Sequence, residues 1–289
     1  MNRLLLAALA SLALGQTTAG LAERITGLVG GSSPSPDVAV AMVPLDGREG
    51  VLILPDTSFH AASTMKVPVM IELFRQAEAG LLRLEDQLSI RNEFHSIVDG
   101  SVYTMDVSAD SDAEVYKAIG KTMSLRDLSE AMITVSSNFA ANLLIERLGA
   151  KNVQQTVDRL GGTGVVVLRG VEDQKAFDKG LNNTTTARGL AALLQKLAAG
   201  TAVSAKADAE MIAVLKRQKF NDAIPAGVPA GTAVAHKTGT ITRIHHDAGI
   251  VYGPRPYVLV ILVRGIQEQK VSAALMASIS REVWSEMSR

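Results

Sequence analysis

The sequence predicts an α+β fold: an antiparallel sheet drawn from both chain ends packs with helices into one mixed lobe, and an all-helical lobe is inserted between the two sheet-forming segments. Two observations carry this prediction. Short β-branched runs lie near both ends, and the middle of the chain repeats its apolar residues at spacings of three and four. At 289 residues the chain is long enough for one catalytic domain, with the mixed lobe at about 16–60 and 210–289 and the helical lobe at about 61–209.

Taken in order, Met1-Asn2-Arg3 is a short cationic start, Leu4 to Leu14 is apolar except for Ser11, and Ala13-Leu14-Gly15 places small residues at a cleavage site. Residues 1–15 therefore read as a signal peptide cleaved near Gly15-Gln16, which implies a periplasmic or secreted protein. The run is too short to span a bilayer, which takes about 20 apolar residues. Without cysteine, the lipid-attached variant of such a signal is excluded, so no stable membrane anchor is expected after cleavage. Val38 to Val43 and Val51 to Leu54, separated by Pro44-Leu45-Asp46-Gly47, predict a hairpin. From Ser63 to about Leu197 the pattern is helical. Ser124-Leu125-Arg126-Asp127 predicts a capped helix start, Gly149 a helix stop, and Thr184-Thr185-Thr186 the entry to a helix over 187–199. The Gly161-Gly162-Thr163-Gly164 cluster lacks the Lys-Ser/Thr of a phosphate loop and reads as a turn. A helix near 208–217 precedes strands at 233–237, 248–252 and 257–263, and an amphipathic helix over 271–287 closes the chain.

Composition removes several kinds of chemistry. The absence of cysteine excludes disulfides, thiol nucleophiles and thiolate metal sites. With 29 basic and 29 acidic residues the chain has no long-range field to collect nucleic acid, so the expected partner is a small molecule. A monomer is expected, though not from the charge. His236 and the run His245-His246-Asp247 offer metal-ligand types, but neighbours along a strand point to opposite faces. Neither a metal nor another cofactor is expected.

Three short motifs then bear on chemistry. Ser63-Thr64-Met65-Lys66 sets a hydroxyl and an amine three apart at a helix start, where a lysine of depressed pKa can take the serine proton as it attacks a carbonyl. Ser136-Ser137-Asn138 breaks a helical stretch with polar side chains, either as a capped turn or as a hydroxyl and an amide presented to a substrate. Lys237-Thr238-Gly239 ends a predicted strand with a cation, a hydroxyl, and a glycine that permits close backbone approach. Each alone has an ordinary structural explanation.

In this order, the three motifs resemble those of the class A serine β-lactamase family, within the penicillin-binding protein superfamily. The likeness extends through Met132 to Leu144 and through Ile224-Pro225-Ala226-Gly227 to Gly239, and covers nearly the whole mature chain. It implies the β-lactamase/transpeptidase-like fold, with Ser63 as the acylated nucleophile, Lys66 as its proton partner and Ser136 as the hydroxyl that protonates the lactam nitrogen. It further implies that Lys237 and Thr238 hold the substrate carboxylate and that the amides of Ser63 and Thr240 form the oxyanion hole. Asn138 would position the acylamide, and Arg243 would add a cation for the carboxylate.

Deacylation in that family uses a glutamate and its water, and the matching residue is Glu172, in Arg169-Gly170-Val171-Glu172 ahead of Leu181-Asn182-Asn183. This chain departs from the pattern in four places. Two residues rather than one separate Arg169 from Glu172. Ala176 stands where the family has the asparagine that helps hold the water. Ser137 replaces the aspartate that braces the central turn. The segment Phe94 to Lys121 is longer and more polar, and is expected on the cleft rim with Tyr103 packed there. Three activities remain open on this reading: a β-lactamase, a peptidase or esterase acting on peptidoglycan-like D-Ala substrates, and a penicillin-binding protein that acylates and deacylates slowly.

Overall fold

A computed structural model describes residues 20–32 and 35–289; the expected signal peptide lies outside the described residues. A helix, α1, covers residues 20–30 and leads into β1 (Asp37–Pro44), β2 (Val51–Ile53) and β3 (Phe59–His60). A 3-10 turn at Ala62–Met65 opens α2 (Lys66–Glu78). Between α2 and α3 (Leu125–Thr134) the chain makes the short strands β4 (Gln87–Ser89), β5 (Phe94–His95), β6 (Val102–Tyr103) and β7 (Thr122–Ser124). Next come α4 (Asn138–Leu148), α5 (Ala150–Arg159), α6 (Gln174–Asp178), β8 (Thr184–Thr185), α7 (Ala187–Ala198) and α8 (Ala205–Leu215). The chain ends with β9 (Ala233–Ile241), β10 (Ile244–Tyr252), β11 (Tyr257–Arg264) and α9 (Gln269–Met287).

The main sheet has the order β2-β1-β11-β10-β9, antiparallel throughout, so β9 forms one edge. Side chains alternate between two cores, as the two-residue strand period requires. Val38, Val40 and Met42 of β1 join Leu259, Ile261 and Val263 of β11 in the core that includes α1 and α9. The intervening Ala39, Ala41, Val258, Val260 and Leu262 face the inserted helices, among them α2, α4 and α7. This is the α+β fold expected from the sequence: a sheet built from both chain ends and clamped between two helical layers.

Local chemistry explains most boundaries. Ser124 caps α3 through the Asp127 amide, Thr186 caps α7 through the Gly189 amide, and Gly149 ends α4 at φ +83°. Two regions differ from expectation. The span between α2 and α3, expected to be helical, instead folds into small ladders (β4 with β7, β5 with β6) and 3-10 turns. Its core residues Leu82, Leu84, Ile90, Phe94, Met105 and Val115 do not keep the spacing of three and four that a helix stripe needs; Phe94 and Tyr116 pack on Phe139 of α4, with ring centroids 5.9 and 4.3 Å away. The strands β9 and β10 also run further than the apolar pattern indicates, because β9 continues past Lys237 to Ile241 while β10 begins at Ile244 and includes His245, His246 and Asp247.

Candidate functional site

Ser63 sits on the 3-10 turn, preceded by Ala62 at φ +45° and tied to the end of the 169–183 loop by a hydrogen bond from the Ala61 amide to the Asn183 carbonyl, 2.9 Å. The edge strand β9 presses against this turn at Gly239. A Cβ there would lie 3.1 Å from the Ser63 nitrogen and 3.2 Å from both Ala62 Cβ and Thr64 Cγ2, so glycine is what lets the two backbones approach. Thr240 borders the same cleft as Ser63.

The Ser136-Ser137-Asn138 segment is the turn between α3 and α4. Ser136 takes a left-handed conformation, φ +60°, which is costly for a residue with a side chain and marks a constrained position. Lys66 is fully buried. Its Nζ donates to the Ser136 carbonyl at 2.6 Å, to Asn138 Oδ1 at 2.7 Å and toward Ser136 Oγ at 3.3 Å. Lys237, equally buried, donates to the same Ser136 Oγ and to the Thr238 carbonyl, each at 2.9 Å. Burial lowers the Lys66 ammonium to about 7, against the opposing pull of Asp110 and Glu172. Lys237 is also pushed well below the lysine range, by burial first and by the neighbouring Lys66 second. One hydroxyl is thus shared by two lysines that cannot both be charged cheaply, an arrangement suited to moving a proton.

The loop 169–183 forms the opposite wall. Asn142, on α4, accepts from the Val171 amide at 2.6 Å and donates to the Val171 carbonyl at 2.9 Å. Gly170 allows this contact, since a Cβ there would stand 2.4 Å from Asn142 Oδ1. At the loop neck Arg169 donates to the Leu181 carbonyl, and Asn183 bonds back to both Leu168 and Arg169. Glu172, at φ +63°, projects into the cleft and accepts from Asn138 Nδ2 at 3.0 Å. Burial raises its carboxyl above the ordinary range, opposed by that hydrogen bond. Asn138 therefore bridges Lys66 and Glu172. Ala176 is fully buried, while Gln174, next to Asp173, lines the cleft.

The cleft has two arms that share Ser63, Asn138 and Thr240. The larger, about 570 Å³, lies against the 169–183 loop and includes Phe177 and Ile241; the smaller, about 320 Å³, includes Ser136 and Thr238. The 94–121 segment reaches the rim through Ala109, Asp110 and Ser111, while Tyr103 is packed, its hydroxyl donating to the Val171 carbonyl at 3.2 Å. Arg243 is not brought to the cleft. It occupies the β9–β10 turn at φ +60° and donates to the Gly265 carbonyl at 3.3 Å, so the guanidinium expected to meet a carboxylate is directed along the sheet. His245 bonds to Ser272 and His246 to the His60 carbonyl, on opposite faces of β10. His236 and Asp247 form a buried pair at 2.8 Å, and among the described residues no three such side chains gather as metal ligands.

Sequence reasoning missed two residues of consequence. Asn142 leaves a trace, as a buried amide in an apolar helix face. Asp110 leaves none: its carboxylate accepts from the Asn138 amide at 2.9 Å and the Phe139 amide at 2.8 Å, across 28 and 29 residues of chain.

Comparison with known proteins bears on the fold and the family. The architecture is that of β-lactamases and penicillin-binding proteins. The structure of PBP-A is similar at a TM-score of 0.80 and 28% identity, covering 92% of this chain and 95% of that one. An ancestral class A β-lactamase is similar at 0.78 and 25%, covering 91% and 98%. Among curated proteins, a β-lactamase of Bacillus licheniformis is 27% identical over 79% of this chain and 72% of its own length. A carbapenem-hydrolyzing β-lactamase of Klebsiella oxytoca is 32% identical over 58% of this chain and 60% of its own, so that match spans less than two thirds of either. The profile of the Beta-lactamase enzyme family matches residues 20–287, and the chain belongs to that family, and with it among the hydrolases.

Proposed function

We propose that the protein is a class A-like serine β-lactamase that opens the β-lactam amide through a Ser63 acyl-enzyme and releases it with the help of Glu172. The observation that carries the reading is the pair of buried lysines on Ser136 Oγ beside the Ser63 turn. With its ammonium lowered to about 7, Lys66 has a lone pair available near neutrality. It takes the Ser63 proton as Oγ bonds to the lactam carbon, and the amides of Ser63 and Thr240 receive the oxyanion. As the C–N bond breaks, the nitrogen takes the Ser136 proton, which Lys66 replaces with the one it took from Ser63. Water then attacks the ester carbon as Glu172 accepts its proton, and as the ester C–O bond breaks that proton passes from Glu172 to the departing Ser63 oxygen. Thr238 and Lys237 meet the substrate carboxylate. Arg243 takes no part.

The leader-like residues 1–15 support export to the periplasm or medium, and the acting form is a monomer with no cofactor. No described helix is long and apolar enough to cross a membrane.

One observation favours slow deacylation as a second reading: the position four residues after Glu172 is a buried alanine, so no amide stands there to hold the water. The likeness to PBP-A, one of whose structures is an acyl-enzyme complex of a Leu-to-Glu variant with penicillin G, is in keeping with this reading. Intact-mass measurement of the purified protein with benzylpenicillin, alongside absorbance-monitored lactam loss, decides between them. A transient adduct with continuous lactam loss is expected. A persistent stoichiometric adduct replaces the β-lactamase reading with a penicillin-binding one, and neither adduct nor loss directs the search to D-Ala peptides and esters.

A further inference from the structure

The α3–α4 turn carries Ser136, whose hydroxyl both lysines reach, and Asn138, whose amide joins Lys66 to Glu172. Its placement depends on the first turn of α4, where the leading amides have no partners within the helix. Ser137 satisfies only one of them, the Ala140 amide at 3.2 Å. The two before it belong to another part of the chain. Asp110 Oδ1 takes the Asn138 amide and Oδ2 the Phe139 amide, with the Ser137 hydroxyl 3.5 Å from Oδ2. The neighbouring Ser111 hydroxyl donates to the Val135 carbonyl at 2.7 Å, so two consecutive residues of the 94–121 segment grip the turn from both sides. A carboxylate against two helix N-terminal amides is favoured by hydrogen bonding and by the helix dipole.

We propose that Asp110 is the positioning residue of the catalytic turn: its carboxylate, delivered by the 94–121 segment, holds Ser136 and Asn138 in place where Ser137 has no carboxylate to do so. The polar segment thereby acquires a role. It closes the helix end on which both half-reactions depend. For its kinetic consequences the proposal rests on the serine-hydrolase reading above; for its structural consequence it does not.

The test uses the full protein as Asp110→Ala, Asp110→Asn and the double variant Asp110→Ala/Ser137→Asp, which returns a carboxylate to the helix start from the neighbouring position. In Asp110→Ala the Asn138 and Phe139 amides exchange with deuterium faster than in the parent while those of α9 do not, and penicillin acylation slows by up to about 100-fold. The double variant recovers most of the rate. Asp110→Asn keeps the size of the side chain and removes its charge, which otherwise favours the protonated Lys66. The other charges facing Lys66, Glu172 from the loop and Lys237 from β9, are unchanged, so the acid limb of acylation moves to lower pH in this variant. A loss of folded protein alone would lower the rate equally at every pH and leave that limb in place. Parent-like amide exchange and acylation in Asp110→Ala overturn the proposal, as does a folded double variant no faster than Asp110→Ala. Should Asp110→Ala not fold, Asp110→Asn supplies the same exchange and rate readings. A parent protein inert to every lactam defeats the functional reading, and amide exchange then decides the role of Asp110 by itself.

Discussion

The side chains assigned to acylation stand on regular or tightly braced backbone: Ser63 on the turn into α2, Lys66 on α2, Ser136 at the α3–α4 junction and Lys237 on β9. Glu172, assigned to deacylation, stands on a loop and reaches the cleft in left-handed backbone, secured by Asn142 on one side and by the Arg169–Asn183 neck below. The first group has three or more elements converging on one hydroxyl, whereas the second has a single carboxylate with one side-chain hydrogen bond, from Asn138. On the proposed mechanism, the contrast makes formation of the acyl-enzyme over-determined in this fold and its release dependent on one loop. Substitutions should therefore separate the two half-reactions cleanly.

The largest effect expected is that of Ser63→Ala, which removes the nucleophile and with it both half-reactions. Lactam loss falls at least about 10³-fold and no covalent adduct forms, as intact mass will record. Undiminished turnover would break the comparison at its root. Glu172→Gln comes next and should divide the halves: acylation persists, the adduct accumulates, and its release slows on the order of 10²–10⁴-fold. Equal losses in both steps would mean that the loop serves acylation as well, through the Asn138 bridge.

The dependence on pH sharpens the contrast. Acylation requires neutral Lys66, so its rate falls about tenfold per pH unit below about 7, roughly 100-fold by pH 5, and levels off above. Release requires ionised Glu172, whose carboxyl burial raises above the ordinary range, so release also weakens on acidification. Single-turnover rates from pH 5 to 9 separate the two limbs, and an acylation rate flat across this range would remove Lys66 as the base.

How far the site could be read from sequence follows the same division. Lys237-Thr238-Gly239 and the Ser63–Lys66 pair were legible because the chemistry is contiguous in the chain, and the turn at Ser136 because three polar residues interrupt an apolar helix. The full length of β10 was not, because His245, His246 and Asp247 look like surface residues yet are buried, each with a partner supplied by a distant segment. Asp110 was illegible for the same reason, since its partners are amides that carry no side-chain signature. Arg243 shows the opposite case: the resemblance implied a cleft cation, but the β9–β10 turn reverses the chain there and directs the side chain to Gly265.

The smallest effect expected concerns Ala176, which stands where the resemblance to the class A family implies a water-holding asparagine. In the folded chain this position is not part of the cleft wall. It lies in the first turn of α6, fully buried, with its amide bonded to Asp173, whose carboxylate also holds Ser96 and the Ile97 amide. An asparagine side chain introduced there enters a packed space away from the water it would have to hold, and burying an unsatisfied amide costs about 1–3 kcal/mol. Ala176→Asn should therefore lower the melting temperature by several degrees while changing the release rate by less than about threefold. A clear gain in release without loss of stability would show that the loop can turn this residue toward Glu172, and that the deacylating half is more plastic than the acylating half beside it.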